Sequence, residues 1–466
     1  MASFVRRRGY SVDLVDANGQ GLSPDEVGVA VAERDPLLVA VVVYGHQPSA
    51  STQHMPAASA ITTAIKRNDP TRPVLLVGGH VAALPERTLA EEKADFVCKG
   101  EGLLTLCGLL DALHGGARDF ENVPDLVYRA EDGVRIGPAA PLVKDLDVEA
   151  PGMAWDLLPM SRYRAHNWHC FGGLERQPYA SLYTTLGCPY RCAFCCVQAP
   201  FRSGEKALGM NVGLNSYRYW SPQNVVDQIG LLVERYGVRN LKIADEMFVL
   251  NPKHVSGLCD LLIERGYDLN IWAYARVDTV RDDMIDKLRR AGFRWLAFGI
   301  EAASENVRKD VDKSFPQASI FTTLAKVRAA GINVIANYVF GLPGDDAVSM
   351  QRTLDLALEL NTEFANMYCA MAYPGSPLYD LALREGRPLP AAWTGYSQHS
   401  VDSLPLGTSH ASGAEVLSIR DRAFMAYFTH PPYLASMEAR FGRATLDAIR
   451  QMTSLKLERQ MARATP

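Results

Sequence analysis

Three cysteines, Cys188, Cys192 and Cys195, fall in the run LGCPYRCAFCC with the spacing C-x3-C-x2-C. Three thiolates on one tight loop can bind three irons of a four-iron cluster and leave the fourth open to a ligand that is not protein. An open iron is a place for chemistry, whereas a fourth cysteine would close the cluster. Two other uses of the same residues compete. The thiolates could hold zinc, completed by Cys196, Cys170 or His169, although structural zinc favours two well-separated ligand pairs. They could also be buried thiols without a metal. Cys196 adjoins Cys195 and is expected to face away from the cluster as a structural residue.

Such a loop needs a scaffold to aim it. From Ser181 onward, strand candidates recur at 182–187, 239–244, 269–275, 294–300, 332–340 and 364–373, with amphipathic helices between them. Six βα units predict an open, partial (β/α)6 TIM barrel over residues 181–379. The cysteines then follow the first strand at its C-terminal end, where barrel enzymes place their chemistry. Residues 1–150 also alternate. A helix end is expected at 4–9, strands at 11–16 (SVDLVD), 37–44, 74–77 and 95–98, and a helix at 55–67. Turns follow at Gly78-Gly79-His80 and Gly100-Glu101-Gly102. This pattern predicts a doubly wound, Rossmann-like α/β domain. Residues 151–180 read as a linker and 380–466 as a helical C-terminal cap.

Composition narrows the partners. The 466 residues are 48% hydrophobic and 21% charged, enough for a large core. The net charge of −4, from 48 basic and 52 acidic side chains, gives no sign of a nucleic-acid partner. No apolar run approaches the roughly 18–20 residues of a membrane span. The residues after Met1 do not read as a basic, apolar, small-residue leader, so secretion is not expected. Nine cysteines, an odd number, fit a reducing cytoplasm better than a disulfide framework.

On these motifs, residues 181–373 resemble the core of the radical S-adenosylmethionine (SAM) superfamily. The resemblance implies a [4Fe-4S] cluster on Cys188, Cys192 and Cys195, with SAM chelating the open iron. Reductive cleavage would yield a 5′-deoxyadenosyl radical that abstracts a substrate hydrogen. Phe194 matches the family's usual aromatic before the third cysteine. Asp245 and Glu246 end the second strand and are expected at the SAM ammonium, where a carboxylate suits the charge. Arg276 ends the third strand and is expected to fork onto the SAM carboxylate, with an ion pair to Asp278 or Glu301 as its ordinary structural use. Glu301 and Ser304 would face the sulfonium or ribose, Asn337 the ribose, and Tyr373 the adenine.

The segments GYSVDLVDA, RPVLLVGGHVAALPE and KGEG resemble the cobalamin-binding domain of one branch of that superfamily. Relative to that branch, the opening MASFVRRRGY lacks a hydrophobic strand and Pro-rich loop, so a truncated domain is expected. No D-x-H-x-x-G occurs, and His46, His54 and His80 are the available substitutes for a lower-ligand histidine. Whether cobalamin binds is left open. The architecture is also similar to the radical SAM dehydratases of aminoglycoside biosynthesis, typified by the apramycin pathway and its substrate paromamine. This resemblance implies a radical dehydratase acting on a carbohydrate-like small molecule. It also implies an electron donor such as flavodoxin or ferredoxin, and a downstream reductase. A cobalamin-dependent C-methyltransferase and a zinc-stabilised binding protein are the alternatives. Residues 197–220 follow the cluster directly and are expected to close over the site. Tyr217, Tyr219 and Trp220 would stack on a ring and Arg202, Lys206 and Arg218 would meet an anion, with Tyr217 the candidate general acid or base by location.

Overall fold

The computed structural model describes residues 1–45, 47–117, 119–211 and 213–460. The runs VAVVV and VLLVG, rich in β-branched residues, form β1 (Val39–Val43) and β2 (Val74–Gly78). They pair in parallel with β3 (Phe96–Cys98), and β4 (Leu126–Ala130) and β5 (Gly133–Ile136) extend the sheet antiparallel, in the order β1-β2-β3-β4-β5. Helices Ala2–Arg6 and Leu103–His114 cover one face through Phe4, Val5, Leu106 and Leu109. Helices Pro24–Arg34 and Ala50–Asn68 cover the other through Val27, Val31, Met55 and Ile65.

One expected strand is absent. Residues 11–16 have no ladder, and the sheet ends at β1. Their side chains still split between the layers, Val12 joining the Phe4 cluster and Val15 the Val27 cluster. Alternation alone does not make a strand when no neighbouring backbone offers hydrogen bonds.

The second sheet is all parallel. It holds β6 (Tyr179–Leu182), β9 (Asn240–Ile243), β10 (Asn270–Ala275), β11 (Phe293–Glu301), β12 (Asn333–Phe340) and β13 (Phe364–Cys369), in the order β13-β12-β11-β10-β9-β6. This is the open six-stranded barrel. The run 182–187, expected as one strand, breaks in two. Its second half, β7 (Thr185–Gly187), leaves the barrel and pairs antiparallel with β8 (Tyr217–Tyr219). The break follows from Asp245, whose carboxylate accepts from the backbone N–H of Thr184 at 2.6 Å and of Thr185 at 3.1 Å.

The stretch 151–180 does more than link. Its turn Trp168–Cys170 closes the base of the barrel, the Trp168 ring lying 5.1 Å from Trp272 and 5.5 Å from Trp295. Downstream, helix Gly413–Phe428 docks on the barrel edge, with Tyr427 Oη donating to Thr362 O at 2.6 Å and Arg420 Nε to Met367 O at 2.7 Å. Among the described residues, no helix is long and apolar enough to cross a membrane.

Candidate active site

The cysteine loop leaves β7 at Gly187, whose φ of +83° favours glycine. A Cβ there would stand 2.3 Å from Ser216 O, so the hairpin closes only over a bare backbone. Beyond it, Gln198 Oε1 accepts from Cys188 N at 3.3 Å, and Gln198 Nε2 donates to Ser216 Oγ at 3.0 Å and to the buried Glu205. Asn215 Nδ2 donates to the carbonyls of Cys188 at 3.0 Å and Tyr190 at 2.7 Å. Gln198, Glu205 and Asn215 shape the loop, and no spacing rule singles them out in the sequence. Cys188 is buried, whereas Cys192 and Cys195 are part-exposed. Burial pushes the Cys188 thiol up to about 11, so a metal must take its proton's place. Cys196 is buried beside them.

Cys170 and His169, considered above as zinc ligands, lie elsewhere. Cys170 Sγ donates to Asn240 Oδ1 at 3.5 Å, and His169 Nε2 donates to Asn270 O at 2.9 Å. Both asparagines open their strands, so these two residues sit at the opposite end of the barrel from the cysteine loop. Among the described residues, no three His, Cys, Asp or Glu side chains gather as ligands of one ion. Cluster thiolates, each on its own iron, stand farther apart than that.

The other predicted residues converge on the same mouth in different ways. Asp245 is fully buried and spent on Thr184 and Thr185, and burial raises its carboxyl to about 6 against these donors. Glu246 lies near enough to Cys188, Cys195 and Cys196 for its charge to raise their thiols. Burial pushes its carboxyl up and the Lys242 ammonium below it down, and each charge offsets part of the shift in the other. Arg276 forks onto Asp278 at 2.9 and 3.0 Å and stacks 4.0 Å over Tyr190 of the cysteine loop. Its Nη1 is buried, without a partner, on a guanidinium that feels Cys192. A carboxylate-bearing ligand would meet this orphaned donor. Glu301 holds Lys313 Nζ at 2.5 Å in a buried pair. It does so with φ at +63°, at a register shift between β11 and β12. A non-glycine residue held there stores strain of about 1–3 kcal/mol. Gly299 makes the room, since its Cβ would lie 2.3 Å from Lys313 Nζ.

Four predicted residues are already engaged. Ser304 caps the short helix Glu305–Lys309. Asn337 donates to Phe298 O at 3.1 Å and accepts from Asn366 at 2.8 Å. Phe194 packs beside the Val307–Leu342 and Leu378–Tyr379 clusters. Tyr373 donates to Tyr396 O at 3.0 Å and accepts from Gln53 of the N-terminal domain at 3.0 Å.

The segment 197–220 is a bracket between the domains, where a lid was expected. Arg218 pairs with Glu101 at 2.8 Å, Ser203 bonds Asp125, and Trp220 Nε1 donates to Ala150 O at 2.8 Å. Arg202 is held by Asn215 at 3.0 Å and Glu205 at 3.3 Å. Tyr217 has its hydroxyl buried without a partner, next to Thr185 and Asp245.

The N-terminal strand ends face this mouth. Tyr44, just after β1, is near Cys98 and Glu101 of its own domain and Tyr183 of the barrel. It keeps 38% of its surface accessible, yet surrounding protein raises its phenol. Tyr183, Tyr274 and Tyr368 are likewise part-exposed while burial raises their phenols. These four part-exposed tyrosines stand in or just after the strands of the two sheets, where packed protein raises their phenols. Of the three histidines considered, His46 lies outside the described residues. His80 is buried, with Nδ1 3.2 Å from Thr52 Oγ1 and its ring against Trp393, and burial lowers it to about 4. His54 is exposed and donates from Nδ1 to Tyr44 O at 3.2 Å.

Residues 182–357 match the model of the Radical SAM superfamily, and residues 1–110 that of the B12 binding domain. The chain is therefore an α/β protein with a B12-binding, Rossmann-like N-terminal domain and a radical SAM core. A [4Fe-4S] cluster and SAM are the cofactors of that core. Over 436 residues it is 26% identical to an uncharacterized methyltransferase of Pyrococcus horikoshii, covering 93% of this chain and 87% of the relative. Its fold is similar to that of the cobalamin-dependent SAM radical enzyme OxsB, solved with aqua-cobalamin and SAM. The TM-score is 0.69 at 15% identity, covering 97% of this chain and 67% of that one. It is also similar to the radical SAM methyltransferase TsrM of Kitasatospora setae, solved with cobalamin and a [4Fe-4S] cluster. Here the TM-score is 0.63 at 20% identity, covering 82% and 71%.

Proposed function

We propose that this chain is a cobalamin-dependent radical SAM methyltransferase acting on a carbon of a small molecule. The observation that carries the reading is the junction of the two domains at the cysteine loop. Arg218 of the hairpin that carries the loop pairs with Glu101, in the turn after β3 of a B12-binding-type domain. A methyl donor and a radical generator would face each other at such a junction, with water and stray hydrogen donors kept out. The likeness to methyltransferases moves the reading from dehydration to methyl transfer. Tyr217 also serves dehydration poorly, since its hydroxyl neighbours Asp245, which is already engaged in the β6–β7 break.

In this reading Cys188, Cys192 and Cys195 bind the cluster, which supplies the electron that cleaves SAM, while cobalamin supplies the methyl group. Glu246 receives the SAM ammonium and Arg276 Nη1 its carboxylate. Asp245 does not touch SAM and sets the β6–β7 break that aims the cysteine loop. Glu301, held by Lys313, Ser304 and Asn337 border the ribose side, and Tyr373 borders the adenine from the domain junction. An external one-electron donor of the flavodoxin or ferredoxin type completes the system.

The test is anaerobic reconstitution with iron, sulfide and cobalamin, then incubation with SAM and reductant. The expected result is bound cobalamin with both S-adenosylhomocysteine and 5′-deoxyadenosine as products. Formation of 5′-deoxyadenosine with no S-adenosylhomocysteine would return the reading to a cobalamin-free radical enzyme such as a dehydratase.

A further inference from the structure

The hairpin that carries the cysteine loop is tied to the other domain by one ion pair. Arg218 lies opposite Leu186 in the β7–β8 register, two residues before Cys188. Its Nη2 donates to Glu101 Oε1 at 2.8 Å and its Nη1 to Glu101 Oε2 at 3.2 Å. Nη1 also reaches Val143 O at 2.5 Å. The two side chains are only 11% and 13% exposed. Glu101 belongs to the turn after β3, and its carboxylate also accepts from Val143 N at 3.2 Å. The turn that carries Glu101 has no slack. A Cβ on Gly100 would stand 2.1 Å from Asp125 Oδ2, and Gly102 sits at φ +97°. A two-pronged guanidinium–carboxylate contact fixes angle as well as distance. A nearly buried ion pair is a poor source of stability compared with an apolar pair of similar volume. Its value here is geometric.

We propose that Glu101 and Arg218 are positioning residues that set the separation and tilt of the cysteine loop against the strand ends of the N-terminal domain. They thereby keep the radical source in register with the methyl donor. The proposal rests on the methyl-transfer reading for its consequence, and on the ion pair alone for its geometry. Loosening the pair leaves each half-site intact but lets the two move relative to each other.

The experiment uses the full chain loaded with its cluster and a spin label at Val134→Cys, an exposed position on β5. Pulsed EPR reads the distance from the label to the reduced cluster, with no cobalamin needed. The parent chain should give one narrow distribution. Glu101→Gln and Arg218→Gln should broaden or shift it at unchanged iron content, and Arg218→Lys, which keeps the charge but loses the fork, should broaden it to a lesser degree. In cobalamin-loaded enzyme the two Gln variants should lose at least tenfold in S-adenosylhomocysteine and stay within twofold in 5′-deoxyadenosine. Unchanged distances in both Gln variants, or iron content falling in step with the broadening, would overturn the proposal. A parent chain that makes no S-adenosylhomocysteine overturns the methyl-transfer reading instead, and the distances still decide the role of the pair.

Discussion

Gly187 and Cys192 show two kinds of dependence at the scale of single residues. Cys192 acts through its sulfur, and its part-exposed thiol faces the mouth. Replacing it by Ala should abolish 5′-deoxyadenosine formation, whereas Cys196→Ser, at a buried neighbour outside the triad, should keep most of it. The assay is product formation by the reconstituted variants, and an active Cys192→Ala would sink the cluster assignment. Gly187 acts through what it lacks. An Ala there meets Ser216 O and must hold φ near +83°, a conformation that costs an L-residue about 1–2 kcal/mol before any clash. Gly187→Ala should therefore fold but load less than half the parent's iron, as read by metal analysis. The three cysteines were legible because thiolate chemistry depends on residue type and spacing. Gln198, Asn215 and Gly187 were not, because their tasks are set by backbone groups that come together only when β7 meets β8. Asp245 was legible as a strand-end carboxylate, but its partners, the N–H groups of Thr184 and Thr185, became visible only with the strand break.

The elements divide along the same line. Runs such as VLLVG and NVIANYVF announced their strands because buried parallel strands are nearly continuous apolar stretches. Residues 11–16 mixed apolar and polar residues like a half-buried strand but had no ladder partner, and the turn at 168–170 had no periodicity to show that it closes the barrel. That turn makes a prediction about pH. His169 is fully buried, and burial lowers it to about 3, below the unfolded value of about 6.5. The folded chain then binds fewer protons than the unfolded chain across that window. The stabilising difference is complete above pH 6.5 and is lost as pH falls toward 3, by up to about 1.4 kcal/mol per pH unit for one histidine. His169→Gln can keep a donor toward Asn270 O without the titration. Its melting temperature should fall less steeply than the parent's between pH 6.5 and 4.5, and parallel profiles would refute the assignment. His80 and His254, each buried and lowered to about 4, titrate in the same direction and remain in both proteins.

At the scale of the whole molecule, the two α/β units were readable from their alternation, but the way they face each other was not. Apolar contacts such as Leu186 and Trp220 on the Phe4 cluster join them, and so do polar pairs far apart in the chain. Glu101 and Arg218 are separated by 117 positions, Asp125 and Ser203 by 78, and Gln53 and Tyr373 by 320. Such pairs leave no period in a sequence. They make the mouth at the cysteine loop a property of neither domain alone, with Tyr44 contributed by one and Tyr183, Tyr274 and Tyr368 by the other. Ligand binding should report that joint ownership. When SAM is added to the cluster-loaded chain, hydrogen exchange should slow at the barrel strand ends that carry Glu246 and Arg276. It should also slow around Tyr44 and the turn from Gly100 to Gly102, because a ligand seated at the domain junction would take water from both sides at once. Backbone amides of the outer helix Pro24–Arg34, which packs on the far side of its sheet through Val27 and Val31, should be unaffected. Protection confined to the barrel would mean that SAM occupies an open cleft and that the N-terminal domain is no part of its enclosure.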